Sequence, residues 1–185
     1  MEGGYALYDS PIGRCAIAWR GFHIVRTALP EADDAALRAR FGGLDEAEPP
    51  PFVASAIVRL VALLAGARDD LADLPVNFGR ASSFEKQVWE AARRIPVGEV
   101  RSYGTLAEEI GAPGAGQAVG RALGRNPVPI VVPCHRILAA DGRSGGFSAP
   151  GGISTKFRIL QIEKAQREGD AGLFGALPLA VKPGI

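Results

Sequence analysis

The sequence predicts an α/β protein of the α+β kind, with a small antiparallel sheet at the N-terminus and a mostly helical second half. Three observations carry this. Short β-rich pieces separated by turn residues fill positions 5–29. From Ser82 onward apolar residues recur at helical spacing, in stretches parted by short glycine-containing turns. Between them, Phe52–Leu64 is apolar on most of its faces, the composition of a helix laid across a sheet.

In chain order, Tyr5–Tyr8, Cys15–Trp19 and His23–Thr27 read as three strands of a meander, with turns at Asp9-Ser10-Pro11 and Arg20-Gly21. His23 has no second ligand-type side chain at a useful spacing, so it reads as structural or surface. Glu31–Phe41 predicts a short helix, acidic in its first turn and basic in its last, stopped by Gly42-Gly43. Glu46–Pro51 is a loop, and Leu74–Phe78 predicts a last strand. Gly79–Ser82 is the candidate boundary, which divides the chain into 1–79, 80–166 and a tail at 167–185. The first region shows no convergent set of reactive side chains and reads as support.

The second region opens with Ser82 three residues before Glu85, a capping box, followed by a stripe of Phe84, Val88, Trp89, Ala92 and Ile95. Ser102 caps a second helix, Tyr103–Ile110, closed by Gly111. A third helix, Ala115–Arg125, follows a short glycine turn, which completes a helix-turn-helix pattern. Ala115, Gly116, Ala118, Gly120, Ala122 and Gly124 leave this helix nearly bald, although each interior glycine costs it roughly 1 kcal/mol against alanine. Small residues let a backbone come close to something, either another helix or a narrow DNA minor groove. Gln117, Arg121 and Arg125 form one polar stripe along it.

Composition is that of a globular chain: 185 residues, 47% hydrophobic and 22% charged. No run reaches the ~18 apolar residues of a membrane span, and the N-terminus lacks the features of a signal peptide, so no membrane association and a cytoplasmic location are expected. The net charge of +1 hides an asymmetry: residues 1–79 carry seven basic and eleven acidic side chains, whereas residues 80–163 carry eleven basic and seven acidic. The second half is therefore the one that would attract a polyanion. With two cysteines far apart and two histidines, no metal-ligand cluster is visible and no cofactor is expected.

Ile130–Leu138 places one of the two cysteines beside one of the two histidines, between two apolar runs broken by Pro133. The pattern reads as strand, turn, strand with Cys134-His135 at the bend. Taken alone, Cys134 is equally a buried small hydrophobe or a reactive thiol.

The wider order of residues is more specific. Val88-Trp89, Pro96-Val97-Gly98-Glu99-Val100, Ser102-Tyr103-Gly104, Ala118-Val119-Gly120, Asn126–Ile130, Pro133-Cys134-His135-Arg136, Gly145–Ser148, Gly151-Gly152, Lys156 and Glu163 stand in sequence. Together they resemble the O⁶-alkylguanine-DNA alkyltransferases, the methylated-DNA–protein-cysteine methyltransferases, over about residues 80–166. The first region resembles that family's ribonuclease-H-like domain in outline only.

The resemblance implies a monomeric, single-use DNA repair protein. It would bind double-stranded DNA in the minor groove without sequence preference, flip out an O⁶-alkylguanine (or O⁴-alkylthymine), and move the alkyl group irreversibly to Cys134. It further implies His135 as base through a water, oriented by Glu163, with the carboxylate favouring a protonated ring. Tyr103 would donate to the leaving base, and Lys156 and Ser148 would serve the O⁶ side. The carbonyls of Cys134 and Ile137 would read the exocyclic amine. Pro129 and Phe147 would wall the pocket, and Asn126 would brace the turn between recognition helix and cysteine. Gln117, Ala118, Arg121, Leu123 and Arg125 would meet DNA.

Two departures from the family pattern stand out. Gln117 occupies the place of an arginine that fills the gap left by the flipped base, and it lacks a guanidinium's charge and plane. Ser148 lies two residues further from Lys156 than expected, which predicts a wider pocket. Two other classes stay open on the residues: a non-catalytic alkyltransferase-like damage binder, and a turnover thiol hydrolase with a Cys-His dyad.

Overall fold

The computed structural model describes residues 3–140 and 151–165. It opens with a three-stranded antiparallel sheet, β1 (Gly3–Ser10), β2 (Gly13–Arg20) and β3 (His23–Ala28), in the order β1-β2-β3. The predicted meander is present, one or two residues longer at most ends. Cys15–Trp19 in β2 is buried throughout because both faces of the central strand are covered. On one face Tyr5, Ala16, Ala18 and Ala28 pack with Leu37 and Phe41 of the α1 (Asp34–Ala39) region. On the other, Cys15, Ile17, Trp19 and Ile24 meet Val53, Ala56, Leu60 and Leu63 of α2 (Pro51–Leu64).

Two expectations are corrected. The helix expected over Glu31–Phe41 is the shorter α1, because the Asp33 side chain caps it by accepting from the Ala36 N–H at 2.7 Å. The strand expected at Leu74–Phe78 is a single bridge, Ile24 to Val76, with Ile24 N donating to Pro75 O and Asn77 N donating to Ile24 O. Pro75 has no N–H of its own to extend the ladder. On the opposite edge Asp45–Ala47 pairs with Tyr5 in the same way, so loops cover both open edges of the sheet.

The helical half contains α3 (Ser83–Arg93), α4 (Tyr103–Glu109), α5 (Gly116–Gly124) and α6 (Gly152–Ile162). Ser82 and Glu85 form the expected capping box on α3, and Ser102 caps α4 through the Thr105 N–H. Trp89 lies in the core of α3, and its indole N–H donates to the Ala122 carbonyl at 2.9 Å, pinning α5 onto α3. One apolar core runs from the sheet and α2 into α3–α6, across the Gly79–Ser82 turn. Buried Arg93 adds polar stitches over the same junction, donating to the carbonyls of Ala72 and Leu74. No helix among the described residues is long and apolar enough to cross a membrane.

Candidate active site

The segment leading to Cys134 is not the strand expected from its β-branched residues. Pro127, Pro129 and Pro133 remove the donors a ladder needs, and the chain folds as a tight turn in which Val132 N donates to Val128 O at 2.9 Å. Ile130 sits there at φ 75°, a left-handed conformation costing a β-branched residue on the order of 1–2 kcal/mol. Its burial at 4% exposure, with Val131 and Val132 at 0%, holds it. Asn126 spans the turn: its carbonyl oxygen accepts from Val128 N at 2.9 Å, and its amide donates to Val132 O at 3.0 Å and to Cys134 Sγ at 3.5 Å.

Cys134–Arg136 then forms one 3₁₀ turn, and Ile137–Leu138 (β5) pairs in parallel with Arg101–Ser102 (β4). That two-residue ladder has a purpose for the site. It holds the start of α4, where Tyr103 stands, alongside the chain that carries the thiol.

His135 and Glu163 are both buried, and His135 Nε2 lies 2.9 Å from Glu163 Oε1. Burial alone would raise the Glu163 carboxyl, but His135 and Arg136 together hold it at about 2. An ionised carboxylate only accepts, so Nε2 must carry the proton and Nδ1 is the basic nitrogen. Nδ1 is buried and has no hydrogen-bond partner among the described residues. The Glu163 carboxylate favours the protonated ring, as expected, but burial acts against it. Desolvation pushes the imidazole pKa down, Glu163 pulls it back, and the positive charges of Arg136 and Lys156 add to the lowering. The lowering favours the neutral ring, whose Nδ1 is chemically able to accept a proton.

Arg136 is what sequence reasoning missed. Its guanidinium, 1% exposed, grips Glu163 with Nε to Oε2 at 2.9 Å and Nη2 to Oε1 at 2.8 Å, while Nη1 donates to Ile95 O at 2.7 Å. The residue next to His135 could equally have pointed to solvent, and only the fold turns it inward.

Burial pushes the Cys134 thiol up, and the Asn126 amide, the Lys156 charge and nearby backbone N–H groups oppose this. Lys156 is fully buried, donates to Ile137 O at 2.5 Å, and is drawn down to about 8 by burial. The Ile137 carbonyl thus already has a donor, which leaves it one lone-pair direction for anything else. Lys156 Nζ sits 5.9 Å from the centre of the half-buried Tyr103 ring. Burial, and then the Cys134 charge, raise the Tyr103 hydroxyl above its ordinary range.

On α5 the side chains of Gln117, Arg121 and Arg125 are exposed, and Arg125 pairs with Glu85 at 3.2 Å. Ala118 is partly exposed, whereas Leu123 is buried at 6% and lies off this stripe. A Cβ added at Gly116 or Gly120 would meet Tyr103 only at ordinary contact distances of 3.7–3.8 Å, and one at Gly124 would meet nothing within 4 Å. Packing within the chain therefore does not demand these glycines. Leu123, Asn126, Pro129 and Cys134 line a cleft of about 350 Å³ whose opposite wall is β3 and its continuation, Arg26–Leu29. Thr27 locks that wall in place, its hydroxyl donating to Pro129 O at 2.7 Å and its N–H to Pro127 O at 3.1 Å. Phe147 and Ser148, and with them the expected wider pocket, lie outside the described residues.

Comparison with known proteins agrees with this geometry. Residues 83–165 match the family model for the DNA binding domain of 6-O-methylguanine DNA methyltransferase. The methylated-DNA–protein-cysteine methyltransferase of Mycolicibacterium paratuberculosis is 41% identical over 170 residues, covering 92% of this chain and 98% of that one. The crystal structure of the Mycobacterium tuberculosis O⁶-methylguanine methyltransferase superposes with a TM-score of 0.73 at 36% identity, over 91% of this chain and 96% of that one. The same organism's protein in complex with DNA gives 0.72 at 37% identity, over 92% and 99%.

Proposed function

Since the chain belongs to the methylated-DNA–protein-cysteine methyltransferase family, we propose that it repairs O⁶-alkylguanine, and O⁴-alkylthymine, in double-stranded DNA by taking the alkyl group onto Cys134. The observation that carries this reading is the fixed tautomer of His135. Glu163 and Arg136 leave Nδ1 as the one basic nitrogen of the ring adjacent to Cys134 in the chain.

His135 Nδ1 takes the thiol proton, through a water, as Sγ attacks the alkyl carbon opposite the C–O⁶ bond. An S–C bond forms, the C–O⁶ bond breaks, and its electron pair stays on the guanine. The Tyr103 hydroxyl donates to the base as this charge develops. Lys156 holds positive potential beside the thiolate in a dry site, where it counts for more than in water. A thioether carbon–sulfur bond is not cleaved by the acid–base groups described, so each molecule acts once. The bald face of α5 enters the minor groove with Gln117, Ala118, Arg121 and Arg125, and Leu123 faces the cleft instead. Gln117 plugs the stack without a guanidinium's charge, and Asn126 keeps the turn in register. Residues 1–79 act as the ribonuclease-H-like support, 80–166 as the alkyltransferase domain and 167–185 as a tail, in a monomer working in the cytoplasm without metal or cofactor.

The test is to incubate the protein with a duplex oligonucleotide carrying one O⁶-methylguanine and then weigh the Cys134 peptide. One methyl group per molecule, followed by inactivity, is expected. Unmodified Cys134 with tight binding would make the protein a damage binder, and continued turnover would make it a hydrolase.

A further inference from the structure

The cleft beside Cys134 has a cationic rim, two-thirds of which comes from the half of the chain that is acidic overall. Arg26 and Arg40 line it from the N-terminal side, Arg125 lines it from the end of α5, and Glu31 is the one acidic residue among the described residues that line it. Residues 1–79 carry eleven acidic side chains against seven basic ones, so positive charge at this spot runs against the average of its own region.

The rim is also ordered. Arg26 donates one N–H to the Arg40 backbone carbonyl, which aims its guanidinium while leaving its other donors unused by that bond. Glu31, with its side chain 17% exposed, lies 3.6 Å from Arg40, whose side chain is 57% exposed. That pair steadies one terminal nitrogen of the guanidinium, Nη1, while more than half of the Arg40 side chain stays in solvent. Beneath them, Thr27 fixes β3 to the turn that presents Cys134, so this wall cannot drift from the thiol.

A base that enters the cleft leaves its sugar-phosphate chain at the mouth. We propose that Arg26 and Arg40, with Arg125 opposite, hold the phosphates of the strand that carries the extruded nucleotide. The N-terminal region is then a DNA contact as well as a support. The inference rests on the alkyl-transfer reading above. Guanidinium forks match phosphate oxygens two at a time, which suits a contact that must fix the position of a flipped nucleotide without reading sequence.

The experiment compares the wild type with Arg26→Gln, Arg40→Gln and the double variant Arg26→Gln/Arg40→Gln, and with Arg20→Gln, away from the cleft, as a control that matches each single variant in charge. Binding to an O⁶-methylguanine duplex is measured across salt, and alkyl transfer is timed with that duplex and with free O⁶-benzylguanine. Each lost phosphate contact should flatten the slope of log K against log salt by about 0.9, so the double variant should lose about 1–2. Its ratio of DNA rate to free-base rate should fall on the order of tenfold, while Arg20→Gln keeps the wild-type slope and ratio. Arg40→Glu should lower the ratio further. An unchanged slope and ratio in the double variant would overturn the proposal. A wild type that transfers nothing from either substrate would instead overturn the alkyl-transfer reading itself.

Discussion

Replacing Glu163 by Gln tests the core of the site with little change of shape. The carboxylate accepts three charge-assisted hydrogen bonds, one from His135 and two from Arg136. The amide can accept at only one end, so a buried guanidinium loses its buried counter-charge and keeps only the half-exposed Asp70 at 3.9 Å. Breaking a buried pair in this way costs about 3–5 kcal/mol. The carboxyl pKa gives a second route to the size. It is held at about 2 against an ordinary 4.5, and at about 1.4 kcal/mol per pH unit that is roughly 3 kcal/mol. Because the folded value is the lower one, this stability is present above about pH 4.5 and is lost as pH falls through about 2.

The chemical loss is separate. A Gln amide can turn its NH₂ toward Nε2, which moves the imidazole proton to Nδ1 and removes the base, a change worth about 10²–10⁴ in rate. Denaturant unfolding from pH 2 to 7 reads the first effect, and single-turnover alkyl transfer from duplex DNA reads the second. A variant with the wild-type midpoint at pH 7 and the wild-type transfer rate would refute both the ion-pair energetics and the assigned tautomer.

Three further outcomes follow from the same geometry. Lys156 is a buried amine with its folded pKa lowered to about 8 from 10.5. The unfolded chain therefore binds more protons at Lys156 between those values, while the raised thiol and phenol groups act in the opposite sense in wild type and variant alike. The difference in unfolding free energy between wild type and Lys156→Met should therefore move in favour of the wild type by about 3 kcal/mol from pH 8 to 10.5. Asn126→Ala should cost about 2 kcal/mol in denaturant unfolding, from one accepted and two donated bonds. It should also move the pH midpoint of thiol alkylation at Cys134 upward, since the amide that helps to lower it is gone. Gln117→Arg should tighten duplex binding and speed repair, with the salt slope steeper by about 0.9 if the new charge meets a phosphate. Equal affinity, rate and slope would remove Gln117 from the DNA face.

What was legible in the sequence is what neighbouring residues settle between themselves. The capping box of Ser82 and Glu85, the Ser102 cap and the buried stripe through Val88, Trp89 and Ala92 are local matters of hydrogen bonding and period, and the helices stand where they predict. The ordered motifs also singled out Cys134, His135 and Glu163 before any geometry was available. At Ile130–Val132, where β-branched composition suggested a strand, and at Leu74–Phe78, proline chemistry prevailed, because a ladder requires donors as well as favourable side chains.

The tertiary structure decided the protonation states and the partners. Whether His135 is charged depends on desolvation and on Glu163, Arg136 and Lys156, which converge only when α6 closes over the 3₁₀ turn. That Arg136 turns inward, that Thr27 locks the pocket wall, and that Arg26 and Arg40 reach the cleft of Cys134 are facts of distance across the fold. Charge, burial and hydrogen bonding act through space, and separation along the chain does not encode them. The ordered motifs singled out the atom that can accept an alkyl group; the folded chain decided which nitrogen of His135 is left basic.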